Sequence, residues 1–456
     1  QGPVELDKMA GIHAGEMGTG LQRVKGLSPP LPRGSAAAEG GYLLPMLTWR
    51  MFLTFLAVVL SVMGGVHAYL YLRLVAATDI PSPWQGWLGG LLVLVVLSIP
   101  LSFLASRILD RNVARYVVVP VYVWLGFAFQ TFFLLVLVDG VRGIFWLLGA
   151  LLGLDLWLQD PGGASGLWPW VAAGIVGTTL ASTIFAIWWG LTRLKIRRVE
   201  VELPRLPAAL DGFTIAHLSD LHLDLIHGRE WLASVVEKTN ALAPDLVAIT
   251  GDLAEGSVAQ FGPDVTPLRK LSASHGVFFV TGNHEYFHDL DGWLKRLPQL
   301  GVRVLRNERV AIHWNGGSFD LVGVDDHEGA RIRAGHGPDL DRALEGRDPG
   351  RAAVLLSHQP RIMQDADEHG VDLVLSGHTH GGQIWPFSYL VYLQQPYVKG
   401  LKRRGNTLLY LSSGTGFWGP PMRLGTTAEI ALVTLRAPGD SPGSPQGSAD
   451  RTSPTP

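Results

Sequence analysis

The 456-residue chain contains no cysteine, which excludes disulfide scaffolds, zinc sites built from thiolates and enzymes with a cysteine nucleophile. Charged residues are scarce at 17% of the chain, and 37 Lys and Arg balance 39 Asp and Glu. This balance gives no overall basic field, so we predict no nucleic-acid partner. Mean hydropathy is +0.23, a high value that indicates a membrane-embedded part.

Long apolar runs are confined to the first 200 residues. A membrane helix needs about 20 predominantly apolar residues, and four stretches qualify: residues 51–75, 84–106, 116–138 and 168–191. One such run would fit a buried core helix, but four in succession predict an all-α, four-helix transmembrane region over residues 46–192. A fifth run at 143–158 is shorter and is interrupted by Asp155, so we interpret it as an interfacial or re-entrant helix.

Lys and Arg residues around these runs predict an orientation. They are concentrated before the first run, between the second and third, and after the fourth, at Arg33, Arg50, Arg107, Arg111, Arg115, Arg193, Lys195, Arg197 and Arg198. Because cytoplasmic loops carry the excess of positive charge, four spans would place the C-terminal half in the cytoplasm. We therefore expect a multi-pass protein of the inner or plasma membrane. A fifth span would reverse the side of the C-terminal half.

Both ends of the chain have the composition of disordered segments. Residues 1–45 are rich in Gly, Pro, Ala and Ser, and residues 437–456 are rich in Pro, Ser and Gly. The first residue is Gln, so Met46, just before the first apolar run, is an alternative start. After the last span we predict a linker with the first strand at 193–207 and a folded domain at 208–436.

Short β-branched runs alternate with helical stretches in the second half of the chain. Strands are predicted at 199–203, 213–218, 246–250, 277–281, 309–314, 319–323, 352–357, 373–376, 407–412 and 429–435, and helices at 231–241, 292–300 and 360–368. This alternation is typical of a layered α/β domain in which many neighbouring strands are parallel.

Side chains of the kinds that bind metal ions follow five of the predicted strands. They are Asp220 and His222 in SDLH, Asp252 in TGDL, Asn283 and His284 in TGNHE, His358 in SHQP, and His378 and His380 in SGHTH. In open α/β sheets, ligands bind beyond the carboxyl ends of the strands. We therefore expect these side chains to converge on one site.

The elements Asp-x-His, Gly-Asp, Gly-Asn-His, His and Gly-His-x-His, in this order, resemble the calcineurin-like metallophosphoesterases over residues 199–435. The resemblance implies a layered metallophosphoesterase β-sandwich flanked by helices, and a phosphoric ester hydrolase. It implies that one metal ion is bound by Asp220, His222 and His380, a second by Asn283, His358 and His378, and that Asp252 bridges both. It also implies that His284 contacts the substrate or leaving group.

Two divalent metal ions are the cofactors that this resemblance implies. Carboxylate, amide and imidazole ligands suit Mn²⁺, Fe and Zn²⁺ better than Mg²⁺, and we expect Mn²⁺. In such a site a hydroxide held between the ions attacks the phosphorus, so no protein nucleophile is needed. His284 is the candidate catalytic acid for the departing oxygen.

A narrower resemblance is carried by SGHTHGGQIWP at 376–386 and SSGTGFWGPPMRLGTTAEIALVTL at 412–435. Both segments look like the membrane-associated bacterial subgroup that includes UDP-2,3-diacylglucosamine pyrophosphatases. Gln383 and Arg423 are then candidate substrate-binding residues, with Arg423 as a bidentate phosphate donor or, alternatively, an ordinary surface arginine. Asp325, Asp326 and His327 follow another predicted strand and are candidates for the border of the site.

A membrane anchor suggests a lipid-linked phosphorylated substrate and contact with membrane lipid. Two other classes of function stay open: a non-catalytic binding scaffold on the same fold, and the regulatory domain of a membrane transporter or sensor. The scaffold predicts loss of a ligand or of His284, but all are retained. A transporter predicts charge inside the spans, where only Arg73 and His67 occur. The sequence therefore favours a membrane-anchored dinuclear hydrolase that cleaves phosphoester or pyrophosphate bonds.

Overall fold

The computed structural model describes residues 43–153 and 166–439. Most of the predicted arm (1–45), the end of the fifth apolar run with Asp155, and most of the predicted tail (437–456) lie outside these ranges. The chain divides into two compact units, residues 1–57 and 58–456. In the first unit, residues 43–57 are helical.

Four long helices precede the folded domain. They are α1 (Leu43–Tyr71), which is followed by a π-helical turn (Leu72–Ala76), α2 (Ser82–Ile108), α3 (Arg111–Leu152) and α4 (Trp168–Thr192). Within residues 43–153 and 166–439, four segments are long and apolar enough to cross a membrane: Leu56–Ala76, Ser82–Ser106, Arg111–Leu152 and Trp168–Thr192. Many large apolar side chains on them are exposed, including Trp87, Leu104 and Leu151. Exposure of this kind is unfavourable in water and is relieved in lipid.

Helix α3 is longer than predicted. It runs without interruption for 42 residues, which is about 63 Å at 1.5 Å per residue and roughly twice the hydrocarbon thickness of a bilayer. The separate helix predicted over 143–158 is not found in the described residues, because residues 143–152 continue α3. Gly153 ends the helix in the left-handed conformation, with φ of 64°.

Two six-stranded sheets form the folded domain. The strands are β1 (Leu194–Glu202), β2 (Thr214–Leu218), β3 (Leu246–Thr250), β4 (Val277–Val280), β5 (Val302–Val304), β6 (Glu308–Trp314), β7 (Gly317–Gly323), β8 (Ala353–Leu356), β9 (Leu373–Ser376), β10 (Gly400–Arg404), β11 (Thr407–Leu411) and β12 (Ala428–Arg436). The strand orders are β1-β12-β2-β3-β4-β5 and β10-β11-β9-β8-β7-β6. The runs β2 to β5 and β7-β8-β9-β11 are parallel, as the alternation predicted.

The two sheets pack face to face, and helices cover their outer faces. The shorter helices are α5 (Arg229–Asn240), α6 (Val258–Phe261), α7 (Asn283–His288), α8 (Leu290–Arg296), α9 (Gly329–Ile332), α10 (Leu340–Ala343), α11 (Met363–Glu368) and α12 (Phe387–Val391). Ile215 and Val280 from the first sheet meet Leu321 and Val354 from the second in one buried core. Helices α5 and α8 cover the first sheet, and α10 and α11 cover the second. The layered α/β fold is therefore confirmed.

The link between the helical region and the sheets is shorter than predicted. Strand β1 begins at Leu194 rather than at residue 199, so only Arg193 separates it from the end of α4 at Thr192. Strand β1 pairs in parallel with β12 along its whole length, from Leu194 opposite Ala428 to Glu202 opposite Arg436. The predicted linker at 193–207 is thus largely an edge strand.

Candidate metal centre

The side chains predicted to bind metal follow the carboxyl ends of five strands. Asp220 and His222 follow β2, Asp252 follows β3, Asn283 begins α7 after β4, His358 follows β8, and His378 and His380 follow β9. Strands β2, β3 and β4 belong to the first sheet, whereas β8 and β9 belong to the second. The site therefore lies at one end of the sandwich, where both sheets contribute.

The backbone at this end adopts conformations that most residues avoid. Five of the predicted ligands have positive φ: Asp220 (54°), His222 (42°), Asp252 (53°), His378 (75°) and His380 (50°). Left-handed backbone is unfavourable for non-glycine residues and persists only where the surroundings enforce it, commonly at functional sites. Such strain in one cluster supports a site shaped for function.

Glycines next to these residues permit a close approach of chain segments. A Cβ atom at Gly377 would lie 2.2 Å from Oδ2 of Asp220, and one at Gly282 would lie 2.1 Å from Oδ1 of Asp252. Both distances are far below van der Waals contact, so only glycine fits at these two positions. The Gly-Asn-His and Gly-His-x-His patterns thus have a steric origin.

One group of donors consists of Asp220, His222 and His380. Nε2 of His222 lies 3.0 Å from Nε2 of His380, and Oδ1 of Asp220 lies 3.9 Å and 3.5 Å from these two nitrogens. All three side chains are buried. Their donor atoms are close enough together to hold a metal ion.

A second group forms around His358. Its Nε2 lies 3.1 Å from Oδ2 of Asp252, 3.1 Å from Oδ1 of Asn283 and 3.2 Å from Nδ1 of His378. Oδ2 of Asp252 is also 3.7 Å from Nε2 of His222 in the first group. Asp252 therefore lies between the two groups, at the position that a bridging carboxylate requires.

The charge state of the site suits cations. Burial, reinforced by the charge of His358, lowers the pKa of His378 to about 3, so its imidazole is neutral and has a free lone pair. Burial opposes ionisation of Asp252, but His358 and His284 outweigh this effect and hold the pKa of its carboxyl well below the usual range. A neutral imidazole and an ionised carboxylate are the forms that bind metal, whereas at His358 burial is outweighed by the charge of Asp252, which raises the pKa well above its usual value, so a metal ion there would displace a proton. The residues present therefore fit a divalent metal centre.

His284 lies beside this centre at the start of α7. Its Nε2 is 3.8 Å from Oδ2 of Asp252, and its Nδ1 is 2.7 Å from Oε1 of Glu255. Burial disfavours the imidazolium, but the charges of Glu255 and Asp252 outweigh burial and raise the pKa of His284 to about 10. The ring is therefore an imidazolium at neutral pH, with both nitrogens protonated.

Two glutamates that the sequence analysis did not single out support the site. Oε1 of Glu255 lies 2.5 Å from Nδ1 of His222, on the ring edge opposite to Nε2. The carboxylate of Glu285 accepts hydrogen bonds from the backbone N–H groups of Asp252, Leu253 and Gly282. Glu255 follows Asp252 by three positions and Glu285 directly follows His284, and this proximity is the signal that could have identified them.

Arg423 and Gln383 differ from the expectation that they bind substrate. The Arg423 guanidinium is fully buried and donates to the carbonyl oxygens of His380, Gly414 and Gly416 and to the Thr426 hydroxyl. Burial lowers its pKa to about 10. The Gln383 amide donates to the carbonyls of Trp418 and Pro420 and accepts from the Trp418 N–H. Both side chains bind the surrounding loops, and neither is the free phosphate donor that was expected.

Of the candidates at 325–327, Asp325 and Asp326 are buried and His327 is half-buried. Asp325 forms a bidentate ion pair with Arg306, at 2.9 Å and 2.5 Å. Asp326 accepts from the amide of Gln359, the neighbour of His358, and burial raises its pKa to about 6. Asp326 is therefore hydrogen-bonded to the residue that directly follows His358, a predicted metal ligand.

The loop that holds Arg423 is attached to the long helices. The Arg423 N–H donates to the carbonyl oxygen of Ala186 in α4 at 3.0 Å, and the Trp189 indole donates to the carbonyl oxygen of Thr426. A Cβ atom at Gly190 would lie 3.0 Å from the Arg423 nitrogen, so glycine permits this approach. The Arg423 loop, which is bonded to the His380 carbonyl oxygen, therefore shares a backbone contact with the helical region.

Comparison with known proteins agrees with this geometry. Residues 213–382 match the calcineurin-like phosphoesterase family profile. An uncharacterized metallophosphoesterase of Helicobacter pylori (strain J99) is 41% identical over 248 residues, covering 54% of this chain and 65% of that protein. A Bos taurus transmembrane protein with metallophosphoesterase domain is 40% identical over 255 residues, covering 53% of this chain and 57% of that protein.

A third relative is matched over nearly its whole length. The uncharacterized metallophosphoesterase of Aquifex aeolicus is 32% identical over 249 residues, covering 54% of this chain and 94% of that protein. The matches to the Helicobacter and Bos taurus proteins, in contrast, span less of those proteins, 65% and 57%. On the strength of the matched family profile and these relatives, the chain belongs to the calcineurin-like metallophosphoesterases, which are metal-dependent phosphoesterases.

Proposed function

We propose that the protein is a membrane-anchored hydrolase that uses two divalent cations to cleave phosphoester or pyrophosphate bonds, with lipid-linked compounds as its substrates. The observation that carries the dinuclear part is the position of Asp252, whose Oδ2 lies 3.1 Å from His358 and 3.7 Å from His222. A carboxylate shared by two donor groups offsets the repulsion between two cations.

Each donor group would hold one cation. Asp220, His222 and His380 would bind the first, Asn283, His358 and His378 the second, and Asp252 would contact both. Mn²⁺ is the metal that we propose, with Fe and Zn as alternatives for this donor set. When bound, the cations stabilise charge on the phosphoryl oxygens and activate the attacking water.

The protein's own residues orient the ligands and move a proton. Glu255 accepts from Nδ1 of His222 and so directs the Nε2 lone pair of that ring into the site. His284, held protonated by Glu255 and Asp252, would donate its proton to the oxygen of the departing group. The backbone N–H groups of Asp252 and Leu253 donate to the side-chain carboxylate of Glu285, and these hydrogen bonds fix the turn that carries Asp252.

The anchoring of the site supports a lipid-linked substrate. Strand β1 starts one residue after α4, and the loop of Arg423 is bonded to α4 at Ala186. These two attachments hold the metal centre against helices that are long and apolar enough to cross a membrane. A phosphate on a lipid headgroup would reach such a site without leaving the bilayer. We further propose that the centre is on the cytoplasmic side, as the distribution of Lys and Arg predicts.

The metal-dependent step is tested with Asp252→Asn in the full-length protein. We expect loss of both metal ions, measured by elemental analysis, together with loss of hydrolysis of an aryl phosphate. Asp341→Asn is the matched control, because this side chain is 94% exposed and lies away from the predicted ligands. Full metal content in the Asp252 variant would contradict the bridging role, and full activity after verified metal removal would contradict the proposed chemistry.

The substrate class is tested by comparing kcat/KM for lipid-linked phosphoesters or pyrophosphates with kcat/KM for their water-soluble headgroup analogues. The protein is reconstituted in vesicles, and the lipid-linked forms are expected to be cleaved with the higher value. An equal or lower value for the lipid-linked forms would exclude the lipid preference while leaving the metal chemistry intact.

A further inference from the structure

An uncharged, largely apolar segment follows the loop that carries His378 and His380, which we call the metal-site loop. Residues 381–398 contain no Asp, Glu, Lys, Arg or His. Within them, residues 385–393 (WPFSYLVYL), which we call the aromatic ridge, include α12. Large apolar side chains of the ridge are exposed, among them Trp385 (53%), Tyr389 (65%) and Leu393 (83%), and α12 has no buried residue. Contiguous exposure of this kind marks an interaction surface.

The ridge is continuous with the surface of the long helices. The ring of Phe387 packs edge-on against Phe129 of α3, with 5.9 Å between ring centroids. Ile384, just before the ridge, is buried in a cluster with Ala186 of α4 and Met422. Phe129 and Ala186 lie well inside the segments Arg111–Leu152 and Trp168–Thr192, which are apolar enough to cross a membrane. The ridge therefore packs on helices that are long and apolar enough to cross a membrane.

The composition of the ridge fits the boundary between lipid and water. Trp and Tyr are enriched at this boundary because each ring joins an apolar body to a polar group. Lys399 follows the uncharged segment at 381–398 and is exposed, and Lys402, Arg403 and Arg404 are exposed along the edge strand β10, which begins at Gly400. Clusters of Lys and Arg beside an apolar surface are attracted to anionic lipid headgroups. Apolar insertion and adjacent positive charge therefore favour the same occupant, a bilayer with anionic phospholipid.

The ridge also contacts the metal-site loop. A Cβ atom at Gly382, two residues after His380, would lie 2.4 Å from Cα of Ser388 in α12. Only a glycine allows the ridge to approach the loop so closely. The ridge and the loop of His380 are therefore packed directly against each other.

We propose that the aromatic ridge is inserted into the lipid bilayer beside α3 and α4 as a monotopic contact additional to the long helices. The bilayer, containing anionic phospholipid, is the partner of this surface. Lipid on the ridge lies next to the loop of His380, so the contact would present headgroups to the metal centre. The insertion does not depend on the proposed hydrolysis, since it follows from exposure and packing alone.

The cysteine-free sequence allows a direct test by site-directed spin labelling. Tyr389→Cys, Leu393→Cys and the control Asp341→Cys are each labelled with a nitroxide in the full-length protein. The protein is reconstituted in vesicles of phosphatidylcholine and phosphatidylglycerol, and collisions with oxygen and with a water-soluble nickel chelate are measured. We expect oxygen collisions to exceed nickel collisions at positions 389 and 393, and the reverse at 341.

Labels at 389 and 393 that collide with nickel as readily as the label at 341 would overturn the proposal. Labels that are immobile and reached by neither reagent would also overturn it, since a protein surface would then cover the ridge. Far-UV circular dichroism and the Tm of each variant verify the fold. Because the readout requires no substrate, failure of this proposal and failure of the proposed hydrolysis are distinguishable.

Discussion

Glu255 and His284 face each other at the edge of the metal centre, with 2.7 Å between Oε1 and Nδ1. The same carboxylate oxygen lies 2.5 Å from Nδ1 of His222. One side chain thus orients a predicted metal ligand and the proposed proton donor together. Loss of its charge should therefore affect two measurable properties, metal affinity and the rate of the protonation step.

Glu255→Gln should weaken binding of the metal ion at His222 by about 10- to 100-fold, the usual effect of losing a carboxylate partner of a ligating histidine. The reason is that a neutral amide holds the His222 ring and its tautomer less firmly. Metal titration by calorimetry measures the change. Glu237→Gln on the exposed side of α5 is the control, and an unchanged affinity in the Glu255 variant would contradict the positioning role.

His284→Ala should retain two metal ions per chain but lose roughly 10²- to 10⁴-fold in rate, the range expected for a general acid. The loss should be larger for alkyl esters, which need protonation of the leaving group, than for activated aryl esters. His313→Ala in β6 is the control, because this side chain is exposed and no predicted ligand contacts it. Equal losses on both ester types would argue against proton donation.

Arg423→Lys should destabilise the loop between the metal site and α4. Lysine keeps the charge but cannot reach the carbonyls of His380, Gly414 and Gly416 together. Each buried carbonyl left without a partner costs about 1–3 kcal/mol. We expect a lower Tm and weaker metal binding, whereas Arg331→Lys on the exposed surface should change neither. A variant with raised KM but unchanged Tm and metal content would instead indicate a substrate contact.

Gly190→Ala should disrupt the attachment of the Arg423 loop to α4. The added methyl would lie 3.0 Å from both the Arg423 nitrogen and the Met422 Cα, which are backbone atoms that cannot rotate away. Gly177→Ala on the same helix is the control, because nothing lies within 4 Å of its Cβ position. Limited proteolysis of the Arg423 loop should be faster in Gly190→Ala than in wild type and unchanged in Gly177→Ala. Equal rates in Gly190→Ala and wild type would exclude a tight contact.

Asp224 should make the protein less stable as pH rises. Burial raises the pKa of its carboxyl to about 7 from an ordinary value of 3.8. Between these values the folded chain binds a proton that the unfolded chain releases, so the free energy of unfolding falls with increasing pH. We therefore compare the free energy of unfolding of Asp224→Asn with that of wild type at two pH values. The difference should favour the variant more at about pH 8 than at about pH 5. Thermal melts at both values measure this, and a constant difference would contradict it.

Much of the fold could be predicted because its strands are buried on both faces. Such strands are continuous apolar runs, and β3 (LVAIT) and β9 (LVLS) were predicted with their observed bounds. Strands β5 and β10 were not predicted, each for its own reason. β5 has three residues, and β10 (GLKRR) is an exposed edge strand with almost no apolar pattern. The continuation of α3 past residue 143 was missed because the apolar run at 143–158 is short and is interrupted by Asp155, which suggested a separate helix.

The candidate site was less predictable where contacts come from distant parts of the chain. Order and spacing identified the eight residues from Asp220 to His380 that lie together in the structure, and their roles stay predictions. The partners of Arg423 could not be predicted, since they are carbonyl oxygens that only the folded loops bring together. Glu255 could have been singled out by its place three positions after Asp252, but its contact with His222, across 33 positions of sequence, could not.

The single residue between α4 and β1 has a mechanical consequence. Strand β1 is fixed to β12 by nine paired positions, so no flexible segment decouples the helix from the sheet. Membrane helices adjust their tilt when the bilayer becomes thicker or thinner. A change in the tilt of α4 would therefore move β1, the edge strand of the first sheet, with it. In the proposed membrane arrangement, bilayer thickness would thus be transmitted to the folded domain without a flexible joint.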